Sequence, residues 1–142
     1  MSVRTVSKVI TPSLSLSSSL IDVIVTIPTD SSNKKIPISI TLSATEVSEV
    51  NNDNGSGDLS NLICYHYSIP RNSSKKEVVS AVLLDTNNDW IRDVTRQLST
   101  LICKKYGHPC YVGWSNKSSN IDAMDQLMVI KECINFLNKI IE

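Results

Sequence analysis

Leu83–Ser115 reads LLDTNNDWIRDVTRQLSTLICKKYGHPCYVGWS, and it predicts a strand end, a capped helix, a glycine stop and a second strand. Leu83 and Leu84 close an apolar run. Thr86 then offers a hydroxyl to the unpaired amides of a helix start, with Asp89 three residues on, an approximate capping box. Asp85 and Asp89 place negative charge at the positive end of the helix dipole. Trp90, Ile91, Val94, Leu98, Leu101 and Ile102 recur at three- and four-residue spacings and are expected on one buried face. Arg92, Asp93, Arg96 and Gln97 fall on the other. Gly107 is placed to take a left-handed conformation after the helix, with Lys104 and Lys105 in its last turn and Pro109 beyond. Cys110–Trp114 then reads as a strand.

Upstream, residues 2–10 alternate, with Val3 and Thr5 on one side and Arg4, Val6 and Lys8 on the other, which predicts a strand near a sheet edge. Leu20–Ile27 is a second strand, with Ile21, Val23, Val25 and Ile27 pointing one way. Ile36–Leu42 alternates as cleanly and should form a hairpin with it across the 29–35 turn. Pro37 cannot donate to a ladder, so it belongs at a strand start or on an unpaired side. Residues 44–61 read as a long polar excursion. Leu62–Ile69 is a strand with Ile63, Tyr65, Tyr67 and Ile69 on one face and Leu62, Cys64, His66 and Ser68 on the other. After a polar loop over 70–77, Val78–Leu84 is apolar nearly throughout, so it is expected in the sheet centre, covered on both faces. After a loop over 115–120, Ile121–Ile141 is a helix with two apolar stripes, Leu127, Ile130, Ile134, Leu137 and Ile141, and Val129, Cys133, Phe136 and Ile140. So wide an arc exceeds what one sheet face needs.

These elements define an α+β class, a mostly antiparallel sheet of five to six strands with two C-terminal-half helices packed on one face, in a single domain over residues 1–142. The strands follow one another too closely for βαβ crossovers, except around the first helix. The opposite sheet face should present Ser39, Thr41, Cys64, His66, Ala81 and Leu83, or their alternates, and nothing in the chain is left to cover it. An uncovered, partly apolar face implies a protein partner.

Composition narrows the function. Lys plus Arg is 14 and Asp plus Glu is 14, a formal net charge of zero, and aromatic residues make up 5%. A duplex binder would show a basic excess, and a single-strand binder a stacking platform, so neither nucleic-acid class is expected. No stretch approaches the roughly 18 apolar residues of a membrane span. The N-terminus lacks the apolar run of a signal peptide, so a cytoplasmic or nuclear location is expected. Cys64, Cys103, Cys110 and Cys133 read as reduced thiols among apolar neighbours. Cys103, His108 and Cys110 lack both a CxxC pair and a fourth ligand, so no metal site is assigned. Asp85, Asp89 and His66 form no convergent acid–base set, and no cofactor loop is present, so no catalytic residue is assigned. A small hydrolase is the weaker alternative, and a general interaction adaptor the other.

DVIVTIPTDSSNKKIPISI at 22–40, CYHYSIP at 64–70, VLLDTNNDWIRDVTRQLSTLI at 82–102 and YGHPCYVGWS at 106–115 resemble the fungal proteasome assembly chaperone 4 family. The resemblance is collinear over most of the chain and weakest at 12–19, 45–61 and 71–77. It implies a non-enzymatic chaperone without cofactor, paired in a heterodimer with a proteasome assembly chaperone 3-like subunit. Such a pair engages α-type subunits, notably the fifth, and promotes 20S α-ring assembly. Contact residues are sought among charges that the fold does not need: Lys34 and Lys35 in the turn before the 36–42 strand, and Asp89, Arg92 and Arg96 on the outward side of the first helix.

Overall fold

The structure, a computed structural model, describes residues 2–10, 19–46, 61–72, 77–116 and 125–141. In chain order the elements are β1 Val3–Ile10, β2 Ser19–Pro28, β3 Ile38–Glu46, β4 Leu62–Asn72, β5 Glu77–Leu84, α1 Asp89–Tyr106, β6 Cys110–Asn116 and α2 Gln126–Ile141. The six strands form one sheet in the order β1-β2-β3-β6-β4-β5. β3 and β6 run parallel, and every other neighbouring pair is antiparallel. The expected β2–β3 hairpin is present, Val23 opposite Leu42 and Val25 opposite Ile40. The stretch β5–α1–β6 is a crossover between parallel strands, with β4 lying between them, and the connection from β3 to β4 likewise passes β6.

Both helices lie on one face. That face takes Ile21, Val23, Val25 and Ile27 from β2, Ile38, Ile40 and Leu42 from β3, and Val112 and Trp114 from β6. α1 covers β4 and β6, while α2 packs beside α1 and reaches β1. Lys8 of β1 pairs with Glu132 of α2 at 3.7 Å, and the Arg4 guanidinium donates to the Ile140 carbonyl. α2 buries Val129, Ile130, Cys133, Phe136 and Leu137, a merger of the two expected stripes.

α1 begins two residues later than its expected cap. Asn88 is the N-cap, and its Oδ1 accepts from the Ile91 amide at 3.1 Å. Thr86 instead accepts from the Asn88 amide at 3.3 Å, closing the turn that precedes the helix. At the other end Gly107 has φ 75° and donates to the Cys103 carbonyl, as its position after two lysines predicts. The buried stripe also sits slightly round from expectation: Thr95, Ser99 and Cys103 are inside, and Leu101 is 40% exposed. The reason is a line of hydroxyls beneath the helix. Ser68 Oγ donates to Ser99 Oγ at 3.0 Å, Ser80 Oγ lies 2.9 Å from Ser68 Oγ, and Thr100 Oγ1 lies 3.3 Å from Ser80 Oγ. Each hydroxyl has one proton to give. With Ser68 committed to Ser99, Ser80 donates to Ser68 and Thr100 to Ser80. The small side chains bring α1 close to β4 and tie β5 to both.

Three sequence expectations are corrected. β5 is not central but one of the two outer strands of the described sheet, and Val79, Val82, Leu83 and Leu84 are exposed. An unbroken apolar run reports that both faces want cover, but not whether the cover comes from the same chain. Cys64 and His66 do not lie on the open face; both are buried under α1. The 44–61 and 70–77 loops are also shorter than expected, because residues 44–46 extend β3 and residues 70–72 and 77 belong to β4 and β5. The rest of those loops, and residues 11–18, 117–120 and 121–124, lie outside the described residues.

All four cysteines are free and buried. Burial pushes the Cys103 thiol up to about 11 and the Cys133 thiol up to about 12, and raises Cys64 and Cys110 as well. Thiols so raised are poor nucleophiles at neutral pH.

His66 is 1% exposed, and neither ring nitrogen has a partner among the described residues. Burial lowers its pKa from 6.5, against a smaller upward pull from Asp85; Arg96 and Arg92 also disfavour the charged ring. The folded chain thus binds less proton here than the unfolded chain does. Stability should be fully present above the unfolded value of about 6.5 and fall below it, at up to about 1.4 kcal/mol per pH unit, until the folded-state value is passed. Urea midpoints between neutral pH and pH of about 5 test this. His66→Leu should flatten that window, and an unchanged slope in the variant would assign the effect elsewhere.

Candidate protein-binding surface

Opposite the helices, no described element covers the sheet, and that face divides into two halves. Its β1–β2–β3 half mixes small polar side chains, Thr5, Ser7, Thr26, Thr41 and Ser43, with isolated exposed aliphatics, Val3, Val9 and Ile24. A shallow cleft of about 670 Å³ crosses this half, with Val9, Ile24 and Leu62 among its walls. The β6–β4–β5 half is aromatic and aliphatic. β4 places Tyr65, Tyr67 and Ile69 on the open face by simple alternation, and pairing with β6 sets Tyr67 opposite Tyr111 and Tyr65 opposite Gly113. The rings stack. Tyr67 and Tyr111 have centroids 4.2 Å apart at 14°, and Tyr65 and Tyr111 5.7 Å apart at 19°. Gly113 makes room at the end of the stack. A Cβ there would come within 2.9 Å of Leu62 Cδ1 and 3.1 Å of Tyr65 Cδ1.

β5 extends this surface to the sheet edge. Val79 pairs with Ile69, Ala81 with Tyr67 and Leu84 with Tyr65, all on the open face. The register shifts between Tyr65 and His66, so β5 carries one extra residue there, and Leu83 is 54% exposed. Edge strands are usually shielded by charge or proline. β5 has a single charge, Glu77, and its remaining seven residues, VVSAVLL, contain neither. Stacked tyrosines beside aliphatic side chains and an unpaired strand edge have the composition of an interface core.

The charged candidates fall at opposite ends of α1. Arg92 is held within the chain: its Nε donates to Asp85 Oδ1 at 2.9 Å, Nη1 to Asp89 at 3.1 Å, and Nη2 to the Thr86 carbonyl. The Thr86 amide, and then the Arg92 guanidinium, hold the Asp85 carboxyl below its usual range, and Asp85 raises Arg92 in turn. Arg96 is exposed and pairs loosely with Asp93 at 3.6 Å. Lys34 donates from Nζ to the Tyr106 carbonyl at 3.0 Å, capping the far end of the helix. Lys35 is exposed. The helix rises about 25 Å between its first and last residues, so the two groups do not form one cluster. Lys34 and Arg92 also serve the fold, contrary to the basis on which they were singled out.

Sequence reasoning gave His108 no role. It is 2% exposed; its Nδ1–H donates to the Ile36 carbonyl at 2.9 Å, and Nε2 lies 3.1 Å from the Ser31 carbonyl and 3.4 Å from Lys34 Nζ. It fastens the 30–36 turn to the turn between α1 and β6. Its place between Gly107 and Pro109, in a turn closing a helix, was the available signal. Among the described residues no group of three or more His, Cys, Asp or Glu could hold a metal ion, and no helix is long and apolar enough to cross a membrane.

Six strands backed by two helices on one side, with a tyrosine-rich opposite face and an apolar edge, define a protein-binding α+β module. Comparison with known proteins gives its lineage. Residues 1–136 match the family described as 20S proteasome chaperone assembly proteins 3 and 4, and the chain belongs to it. It is 34% identical to Proteasome chaperone 4 of Saccharomyces cerevisiae, with 96% of each chain covered. A chain in the crystal structure of a novel chaperone complex for yeast 20S proteasome assembly matches with a TM-score of 0.72 at 35% identity, over 98% of both chains.

Proposed function

We propose that this protein is a non-enzymatic assembly chaperone of the 20S proteasome, working as a heterodimer with a related chaperone. The observation that carries the reading is the end-to-end match to a chain of a yeast 20S assembly chaperone complex, at 35% identity. The open face supports it physically. Tyr65, Tyr67, Tyr111 and the β5 edge, which no described element covers, gain most from a second protein laid against them. The client is an α-type proteasome subunit, the fifth in the ring, and the work takes place in the cytoplasm or nucleus.

A tagged copy purified from its own cells should bring down a second small chaperone of the same fold together with free α-type subunits. Mature proteasomes containing β subunits should be absent, because an assembly factor leaves before the particle is complete. Recovery of neither the chaperone nor any α-type subunit would overturn the reading in favour of a general adaptor.

A further inference from the structure

A cluster of cations lies away from the open face. A cleft of about 580 Å³ sits where the end of α1 meets the end of β4 and the start of β5. Lys34, Arg71, Lys104 and Lys105 line it, against one carboxylate, Glu77. Pro70 and Val78 supply apolar wall. Gly107 also lines it, and a Cβ added there would meet nothing within 4 Å. None of the four cations is in an ion pair among the described residues.

Local structure explains only part of this charge. Lys34 caps the Tyr106 carbonyl, Lys105 lies 5.7 Å from the Tyr106 ring centroid, and cations suit a helix C-terminus. Arg71 comes from the end of β4, away from the helix C-terminus, and adds to a field that is already positive. The chain as a whole has zero net charge, so these cations are segregated rather than part of a general excess. Exposed charges act over about 8 Å at physiological salt, so this field is felt by what enters the cleft.

We infer that this cleft binds an acidic segment of a protein partner, its carboxylates on Arg71, Lys104 and Lys105 and an apolar side chain against Pro70 and Val78. A nucleic acid fits less well, because the lining offers one aromatic ring, Tyr106, and so no platform on which successive bases could stack. The volume suits a few side chains. The inference rests on the assembly reading above, in which the segment belongs to the α-type subunit, and it gives that subunit a docking point separate from the tyrosine face.

The test uses the purified heterodimer and two readouts. One is fluorescence anisotropy of a labelled Glu-rich peptide carrying one Phe, at low and physiological salt, beside a labelled RNA of equal charge. The other is binding of the recombinant α-type subunit. Lys104→Glu with Lys105→Glu, and separately Arg71→Glu, should weaken both peptide and subunit by about tenfold or more and flatten the salt dependence. Lys131→Glu with Lys139→Glu, an equal charge change on α2, should stay within about twofold. Lys104→Gln with Lys105→Gln replaces the first pair if reversal lowers the melting temperature. Cleft variants equal to wild type, equal losses in the α2 control, or preference for the RNA would overturn the inference. If the unaltered heterodimer bound no α-type subunit, the assembly reading would fail, and the peptide titration would still decide the cleft.

Discussion

Leu98→Ala is expected to destabilise the folded chain by about 2–5 kcal/mol, through lost burial and the cavity left behind. Leu98 is 0% exposed and belongs to the core cluster that α1 presses onto the sheet. Relaxation should be limited, because the same stretch of helix is held by Ser99 and Thr100 to Ser68 and Ser80. Arg96→Ala is the matched control. Its side chain is exposed and its pair with Asp93 spans 3.6 Å, so it should change stability by less than about 0.5 kcal/mol. Leu101→Ala, one turn from Leu98 on the exposed side, should cost far less than Leu98→Ala. Urea denaturation of the three variants orders them. A greater loss at Leu101 than at Leu98 would mean that the helix presents a different side to the sheet.

Tyr111→Ala is expected to leave the chain folded and to weaken the heterodimer by about 2–4 kcal/mol, a loss of thirtyfold or more in affinity. Tyr111 is the middle ring of the stack, with Tyr67 at 4.2 Å and Tyr65 at 5.7 Å, so its removal takes a stacking partner from both neighbours. Large aromatics near the centre of an interface carry a disproportionate share of the binding energy. Thr5→Ala, on the β1–β2–β3 half of the same face, should bind the partner as wild type does. Titration calorimetry with the partner chaperone, with circular dichroism to confirm folding, separates the cases. Unchanged affinity for Tyr111→Ala would move the partner off the tyrosine face. A loss at Thr5 as large as at Tyr111 would mean that the interface spans the whole sheet and that the stack is not its centre.

The open face was partly legible in the sequence. Alternation alone places Tyr65 and Tyr67 on one side of their strand. Tyr111 joins them only through the β4–β6 register, which sets it opposite Tyr67 from far along the chain. The basic cleft was less legible. Lys34 and Lys35 stand out as a pair in a turn, but Arg71, Lys104 and Lys105 come from a strand end and a helix end that the fold brings beside it. Arg92 looked free because its partners, Asp85 and the Thr86 carbonyl, lie in a turn whose shape follows from capping at Asn88 rather than at Thr86. Asn and Thr are both good caps, and which one closes the turn depends on how β5 delivers the chain.

What this sequence determined by itself is local. The alternation of β2 and of β3, the three-to-four spacing along α1 and the left-handed stop at Gly107 each follow from interactions within a few residues. Each survives folding because local preference and tertiary demand agree. Tertiary structure decided what depends on distant pairing. A period of two says that Cys64 and His66 oppose Tyr65 and Tyr67, but not which pair meets the helices. α1 settles that by bringing Ser99 against Ser68, on the Cys64 and His66 side of β4. An apolar run says that β5 wants cover on both faces, while the sheet order puts it at the edge. There hydrogen bonding from β4 serves only one side of the strand, and its apolar side chains stay exposed among the described residues.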